Sequence, residues 1–177
     1  MHRLFFALLP TPAQAEALAA DVAPLVRELE GQPSPATNLH ATLCFVGAVA
    51  EEKLAALREA ASLVRGRCVT LEFNALEVWE KPQILCATAA ESEAARDLSA
   101  NVMETISAAG FTPDRKPFRA HLTLARKVRG DSARNFASPR ALAPLSLRCD
   151  RFVLMESRRG DAGSTYSAVD SWPLYEK

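Results

Sequence analysis

One four-residue pattern occurs twice in this chain, and it constrains the fold more than any other feature. His40-Ala41-Thr42-Leu43 and His121-Leu122-Thr123-Leu124 both read His-x-Thr-Leu, and the third histidine of the sequence is His2. Apolar residues surround both motifs, and such runs are typical of β-strands. We therefore expect each motif to lie on a strand.

Alternation along a strand decides which of these side chains can act together. Residues two apart share a face of the strand. His40 and Thr42 are therefore predicted to point one way, and the side chains predicted to face the other way are Ala41, Leu43 and Phe45. In the second motif His121 and Thr123 share a face in the same manner. Where the two strands meet, two imidazoles and two hydroxyls would converge on one cavity.

Two imidazoles and two hydroxyls suit a phosphodiester. The ordinary pKa of an imidazole is about 6.5, so one ring can accept a proton while the other donates one. Hydroxyl groups donate hydrogen bonds to anionic oxygens. General acid and general base groups each contribute roughly 10²–10⁴-fold to a rate. The motifs therefore predict in-line displacement at phosphorus, with one histidine on each side of the phosphorus atom.

Other interpretations of the histidines are weaker. A single histidine on a strand usually belongs to a core or to the surface, but two in matching motifs favour a shared site. Two histidines without a cysteine or carboxylate at ligand spacing are too few for a zinc site. The sequence contains neither Gly-x-x-x-x-Gly-Lys-Ser/Thr nor Gly-x-Gly-x-x-Gly, so no nucleotide-binding loop is predicted. We expect no metal and no cofactor.

Charge is balanced over the chain but not along it. Of 177 residues, 21 are Lys or Arg and 21 are Asp or Glu, so no global field attracts nucleic acid or a membrane. The segment 111–140 surrounds the second motif and is mostly basic. Its basic residues are Arg115, Lys116, Arg119, Arg126, Lys127, Arg129, Arg134 and Arg140. This segment is either a solvated surface or a rim that attracts an anionic ligand.

The cysteines and the apolar runs bear on location. The four cysteines form no Cys-x-x-Cys pair, and Cys44 and Cys86 lie in apolar, strand-like runs. We expect them to be buried and reduced. No signal peptide is recognisable at the start, and no apolar stretch approaches the length of a membrane span. We therefore expect a cytoplasmic protein with no membrane partner, and a monomer.

Strand-like and helix-like segments are mixed along the chain. Strands are predicted at 3–9, 39–46, 68–79, 83–89, 119–125, 147–156 and 164–169, and helices at 11–30, 51–65 and 91–109. The segment 130–144 is predicted to be an irregular or briefly helical connector, and 158–163 a turn. This order is α+β. The recurrence of helix, loop and motif strand favours an internal duplication with a boundary near residues 80–90.

The residues around the two motifs resemble a known family. Those that carry the resemblance are Arg3-Leu4-Phe5-Phe6-Ala7, the segment 38–47 and the segment 116–126. They are similar to the 2H phosphoesterases, and within these to the bacterial and archaeal RNA 2′,3′-cyclic phosphodiesterases, also called 2′-5′ RNA ligases. The similarity extends over most of the chain. Ala120 stands where the family usually has proline, which removes a backbone restraint and leaves the chemistry intact.

The resemblance implies a fold and an activity. The expected fold is one bilobal α+β domain over residues 1–177, with two pseudo-symmetric lobes around a central cleft. Each lobe would be an antiparallel sheet with flanking helices. The expected reaction is metal-independent hydrolysis of a terminal 2′,3′-cyclic phosphate of RNA to a 2′-phosphate. Ligation to a 2′-5′ linkage would be its reversal, with a 5′-hydroxyl in place of water.

The resemblance also implies roles for five residues. His40 corresponds to the proton donor for the leaving O3′, and His121 to the base that activates water. Thr42 and Thr123 would hold phosphate oxygens. Arg126 would contact the phosphate or a base.

Strict alternation raises a difficulty for the second half of the site. It places Arg126 on the face opposite His121, so the strand must end or bulge there, or the long side chain must curl round. Arg119 shares the face of His121 and is a rival cation.

Five further side chains are open to two interpretations. Phe6, like Phe5, either packs in the core or stacks on a base. Asn38 either orients the first histidine or forms a turn. Tyr166 and Trp172 either line the cleft or pack elsewhere.

Two other functions remain to be distinguished. The same site could act on a small nucleotide such as ADP-ribose 1″,2″-cyclic phosphate. The chain could also bind RNA ends without catalysis, although both histidines and both threonines are intact. Comparing turnover of a short RNA with that of a mononucleotide separates the two enzymes, and binding without any turnover would indicate the binder.

Overall fold

The computed structural model describes residues 1–160 and 163–176, which fold into helices and antiparallel strands. The strands are β1 (His2–Leu8), β2 (Gln32–Pro33), β3 (Ala41–Val49), β4 (Val69–Trp79), β5 (Ile84–Ala89), β6 (His121–Arg126), β7 (Arg140–Cys149), β8 (Arg151–Gly160) and β9 (Gly163–Pro173). The α-helices are α1 (Pro12–Glu28), α2 (Leu54–Ser62), α3 (Glu93–Ala108) and α4 (Gly130–Arg134). Short 3₁₀ turns lie at Ala36–Asn38 and Glu51–Lys53.

The strands form two sheets, here called the first and the second sheet. The first has the order β3-β1-β8-β9 and the second the order β2-β6-β5-β4-β7. Each motif strand pairs antiparallel with the strand before its preceding long helix, since β3 pairs with β1 and β6 with β5. The same strand-helix-strand arrangement therefore occurs in both sheets. The predicted α+β class is confirmed, with two antiparallel sheets.

Three details of the predicted order are wrong. The boundary near residues 80–90 falls inside the β4–β5 hairpin of the second sheet, and β8 and β9 return to the first sheet. The single strand predicted at 147–156 is two strands that reverse at Asp150. β7 begins at Arg140, inside the segment predicted to be irregular. The prediction missed this start because most side chains of β7 are exposed, so its sequence shows little apolar alternation. The predicted turn at 158–163 includes Asp161 and Ala162, which lie outside the described residues.

Local sequence explains where the two long helices begin. Thr11 caps α1 by a capping box with Gln14, and a proline follows at the first helical position. Ser92 caps α3 by accepting a hydrogen bond from the backbone N–H of Ala95. Buried side chains from both helices join the buried faces of the two sheets in one apolar core. No helix within the described ranges has the length and apolarity needed to cross a bilayer.

The first sheet is apolar on both faces where β1 and β8 pair. Phe6 and Leu8 point into the main core. Phe5 and Ala7 point the other way and form a separate small cluster with Val153 and Met155. The members of this cluster are nearly fully buried, and the ring of Phe5 packs against His40 of the first motif.

Candidate active site

A β-bulge in β6 changes the face to which Arg126 points. His121 pairs with Thr88 and Thr123 with Cys86, but the next two pairs join Ala125 to Leu85 and Arg126 to Ile84. One residue, Leu124, is therefore extra on the β6 side. Because Thr88, Cys86 and Ile84 share one face of β5, their partners His121, Thr123 and Arg126 share that face too. Of the three possibilities that the sequence left open for Arg126, a strand end, a bulge or a curled side chain, the structure shows the bulge.

The first motif strand has the same bulge at the same place in its motif. Thr42 pairs with Ala7, whereas Cys44 pairs with Phe6 and Phe45 with Phe5, so Leu43 is the extra residue. Phe45 therefore shares the face of Thr42, and the prediction that it points the other way is wrong. Its side chain is 48% exposed and packs against Phe5 at a centroid distance of 5.7 Å.

The two motif strands meet at one cleft. Cα atoms of β3 and β6 approach within 8 Å of each other. The cleft has a volume of about 1360 Å³, and its walls include His40, Thr42, His121, Thr123 and Arg126. The structure thus brings together all five residues of the predicted phosphate site. Three lie on β6 of the second sheet, and the other two lie on β3 of the first sheet or immediately before it. Such a volume exceeds the roughly 300–1,000 Å³ of typical small-molecule pockets.

The other candidates are placed differently. Phe6 is fully buried against Phe152 and Trp172, so it cannot contact a substrate, and Phe5 lines the cleft instead. Trp172 accordingly packs in the core, whereas Tyr166 lines the cleft. Alternation alone could not tell Phe5 from Phe6, because both faces of β1 are buried.

Asn38 and Arg119 act on the histidines through their backbones. The carbonyl oxygen of Asn38 accepts a hydrogen bond from Nδ1 of His40 at 2.7 Å, and that of Arg119 accepts one from Nδ1 of His121 at 2.8 Å. The side chain of Asn38 donates to the carbonyl of Ser164, and neither Asn38 nor Arg119 is among the cleft-lining residues.

This matched pair of hydrogen bonds determines the tautomer of both rings. A carbonyl oxygen can only accept, so Nδ1 carries a hydrogen in each ring. In the neutral ring Nε2 then has a free lone pair, and in the charged ring it has a proton to donate. Both histidines therefore offer Nε2 for proton transfer.

The surroundings of the two rings differ. His40 lies between Phe5 and Tyr166, at centroid distances of 4.8 and 4.9 Å. His121 packs against Trp79 at 4.7 Å. Burial lowers the pKa of His40 to about 4, and the positive charges of His121 and Arg126 act in the same direction.

The pKa of His121 is also lowered. Burial is the main cause, and the charges of Arg119 and Arg126 add to it. Both rings are therefore neutral near pH 7 when no anion is bound.

Cations dominate the charged side chains of the cleft. Among the described residues, those lining it are Arg3, Lys81, Lys116, Arg126, Lys127 and Arg159, against one carboxylate, Asp114. Three of the six, Lys116, Arg126 and Lys127, come from the basic segment 111–140, so part of this segment lines the cleft. The other five basic residues of that segment do not line the cleft.

Comparison with known proteins identifies the family. The model of the 2′-5′ RNA ligase superfamily matches residues 10–161, and the chain belongs to this superfamily. The resemblance read from the two motifs is thereby confirmed.

Individual relatives agree with this assignment. An RNA 2′,3′-cyclic phosphodiesterase of Archaeoglobus fulgidus is 33% identical over 122 residues, which cover 64% of this chain and 68% of that protein. The protein of the same name from Escherichia coli is 27% identical over 175 residues, covering 98% and 97%. The crystal structure of E. coli LigT complexed with 3′-AMP superposes with a TM-score of 0.84 at 25% identity, covering 98% of both chains.

Proposed function

We propose that this protein hydrolyses the terminal 2′,3′-cyclic phosphate of RNA to a 2′-phosphate by metal-independent acid–base catalysis with two histidines. The observation that carries the proposal is the matched pair of half-sites. Each supplies an imidazole held by the carbonyl two residues before it, a threonine, and a bulge after the threonine, and both open on one cleft. The names of the relatives support the substrate.

The proposed reaction uses the acid and base roles that the family resemblance implies. Nε2 of His121 takes a proton from water as the water oxygen bonds to phosphorus. The bond from phosphorus to O3′ breaks, and His40 gives its Nε2 proton to O3′. In-line displacement needs these two events on opposite sides of phosphorus. His40 lies just before β3 of the first sheet and His121 lies on β6 of the second sheet, so the two rings come from different sheets. Thr42, Thr123 and Arg126 hold the non-bridging oxygens.

His40 has to become protonated when the substrate binds. The pKa of His40 is lowered to about 4 in the unliganded protein, so the ring is neutral near pH 7. A phosphodiester anion bound beside the ring favours the imidazolium and raises its pKa. Binding of the substrate therefore favours the protonated form of His40, which is the general acid of the proposed reaction.

Two features favour an RNA strand over a small nucleotide. The cleft is larger than a typical small-molecule pocket, and six cations line it. Phe45 presents a half-exposed ring on the same face as Thr42. Aromatic rings in such positions stack on unpaired bases of RNA.

We also propose that residues 1–177 act as one bilobal domain, as a monomer, in the cytoplasm. In support of the compartment, Cys44, Cys86 and Cys149 are free and buried. Burial raises the pKa of all three thiols, to about 12, 12 and 11 respectively, which keeps them unreactive.

The decisive experiment uses a short RNA ending in a 2′,3′-cyclic phosphate. We expect conversion to the 2′-phosphate, at the same rate with and without EDTA, and no conversion by folded His40→Ala or His121→Ala proteins. A 3′-phosphate product, loss of turnover in EDTA, or activity in either variant would contradict the mechanism. Faster turnover of ADP-ribose 1″,2″-cyclic phosphate would identify a small-nucleotide enzyme, and binding without turnover an RNA-end binder.

A further inference from the structure

Glu77 on β4 is close enough to His121 to affect its pKa but does not line the cleft. Its side chain is 21% exposed. Its two oxygens accept hydrogen bonds from Trp79 Nε1 at 2.9 Å and from Thr88 Oγ1 at 3.0 Å. One terminal nitrogen of Arg119 lies 2.8 and 2.6 Å from the same two oxygens. One carboxylate therefore connects three residues.

Each of those three residues is also a neighbour of His121. The ring of Trp79 packs on the imidazole. The carbonyl of Arg119 accepts the Nδ1 hydrogen bond, and Thr88 is the cross-strand partner of His121. The guanidinium carbon of Arg119 also lies 4.7 Å from the centroid of the Trp79 ring, so these two contact each other as well.

We propose that Glu77 is a positioning residue for His121, which holds Trp79, Thr88 and Arg119 so that they orient the imidazole with Nε2 free for proton transfer. This inference rests on the proposed function only for the role of His121 as the base. His40 is held differently, because its ring packs against Phe5 and Tyr166.

The carboxylate also balances the charges that face His121. Those charges come from Glu77 on β4, Arg119 before β6, Arg126 on β6 and His40 just before β3. Burial raises the pKa of Glu77, but hydrogen bonds from Trp79, Thr88 and Arg119 outweigh it, so the net pKa is low and the group is charged near pH 7. Without this negative charge, Arg119 would disfavour the imidazolium of His121 more strongly.

The test compares the full-length protein with its Glu77→Gln variant in two measurements. In an NMR titration of the imidazole signals, we expect the pKa of His121 to fall and that of His40 to stay unchanged. In steady-state kinetics, we expect kcat to fall by about 10- to 100-fold, because small misplacements of a catalytic group cost about this much. We expect KM to change less than about threefold, because Glu77 does not line the cleft.

Two further variants separate positioning from general stability. Glu72→Gln removes another carboxylate of β4, which accepts a hydrogen bond from Ser146 Oγ at 2.7 Å and does not line the cleft. It should leave both readouts unchanged. Arg119→Met removes the cation and should raise the pKa of His121, opposite in sign to Glu77→Gln. If Glu77→Gln does not fold, the pKa of His121 in Arg119→Met still tests the proposal.

A His121 titration that is the same in Glu77→Gln, Arg119→Met and the unmodified protein would overturn the proposal. So would equal kinetic losses in Glu77→Gln and Glu72→Gln. The titration needs no substrate, so it tests the charge balance around His121 even where the unmodified protein has no turnover. Absence of turnover in the unmodified protein would refute the proposed function alone.

Discussion

Each imidazole of the cleft is held by the backbone carbonyl two residues before it, yet the two rings have different neighbours. Phe5 and Tyr166 enclose His40, whereas Trp79 packs on His121. Apolar neighbours exclude water and disfavour the charged ring. At the residue scale, the proposed mechanism depends on how a bound anion changes the pKa values of two rings that are neutral in the free protein.

The first prediction concerns the dependence of the rate on pH. The proposed mechanism needs one charged and one neutral histidine. We therefore expect kcat/KM to follow a bell-shaped curve centred below pH 6.5, because both pKa values are lowered in the free protein. The bound phosphodiester raises the pKa of the donor, so the basic limb of kcat should lie at higher pH than that of kcat/KM. Initial rates from pH 4 to 9 on the cyclic-phosphate RNA measure both. Coincident basic limbs, or a single limb, would count against this account.

The second prediction concerns Phe45. Stacking of one base on an aromatic ring is worth about 1–3 kcal/mol. Phe45→Ala should therefore raise KM for the RNA about 5- to 150-fold with a smaller change in kcat, and Phe45→Tyr should restore it. Leu63→Ala is a suitable control, because Leu63 is an exposed apolar residue that does not line the cleft. An unchanged KM in Phe45→Ala would remove this residue from the substrate site.

At the scale of the elements, the bulges build the site. They place Phe45 and Arg126 on the faces of their threonines, so one half-site ends in an aromatic ring and the other in a cation. A bulge disrupts the ladder locally and needs support. The bulge at Leu43 has such support from α3, because buried Ser99 donates a hydrogen bond to the carbonyl of Leu43 at 2.6 Å.

The third prediction tests that support. Ser99→Ala leaves the carbonyl of Leu43 without this donor, and an unsatisfied buried group costs about 1–3 kcal/mol. We expect the free energy of unfolding, measured by urea denaturation, to fall by about this amount. Ser62→Ala provides the matched control, because the Ser62 hydroxyl donates to the carbonyl of Glu59 in an exposed position. A loss no larger than that of the control would show that the bulge does not depend on Ser99.

At the scale of the whole molecule, the two sheets share one core and leave a cleft where their motif strands meet. The net charge of the chain is zero, while the charges that line the cleft are mostly positive. A field of this kind raises the local concentration of an anionic substrate without making the whole surface basic.

The fourth prediction concerns stability against pH. The pKa of His40 is about 4 in the folded protein and about 6.5 in the unfolded chain, so His40 reduces stability as pH falls from 6.5 to 4. His2 acts in the opposite direction, because hydrogen bonds to Glu51 and Glu156 raise its pKa. Its contribution is present below pH 6.5 and is lost as pH rises through its folded pKa.

Urea denaturation at pH 7.5 and pH 4.0 measures these contributions. Between pH 7.5 and pH 4.0, the free energy of unfolding of folded His40→Gln should fall by about 1–3 kcal/mol less than that of the unmodified protein. The free energy of unfolding of His2→Gln should fall by more than that of the unmodified protein. The carboxylates titrate in all three proteins, but His2 itself lowers the pKa of Glu51 and Glu156, so the His2→Gln comparison reports on His2 together with these two partners. Equal losses in all three proteins would contradict the assigned pKa directions.

The sequence by itself determined the family, the α+β class and five residues that share the cleft, because a repeated His-x-Thr on strands specifies both a local conformation and a chemistry. Only the tertiary structure decided which face Phe45 takes, that Phe5 and not Phe6 reaches the cleft, and that Glu77 stands beside His121. A bulge shifts alternation by one residue without a clear sequence signal, and β1 is buried on both faces. Glu77 and Arg119 are 42 residues apart, and only the pairing of the sheet brings them together.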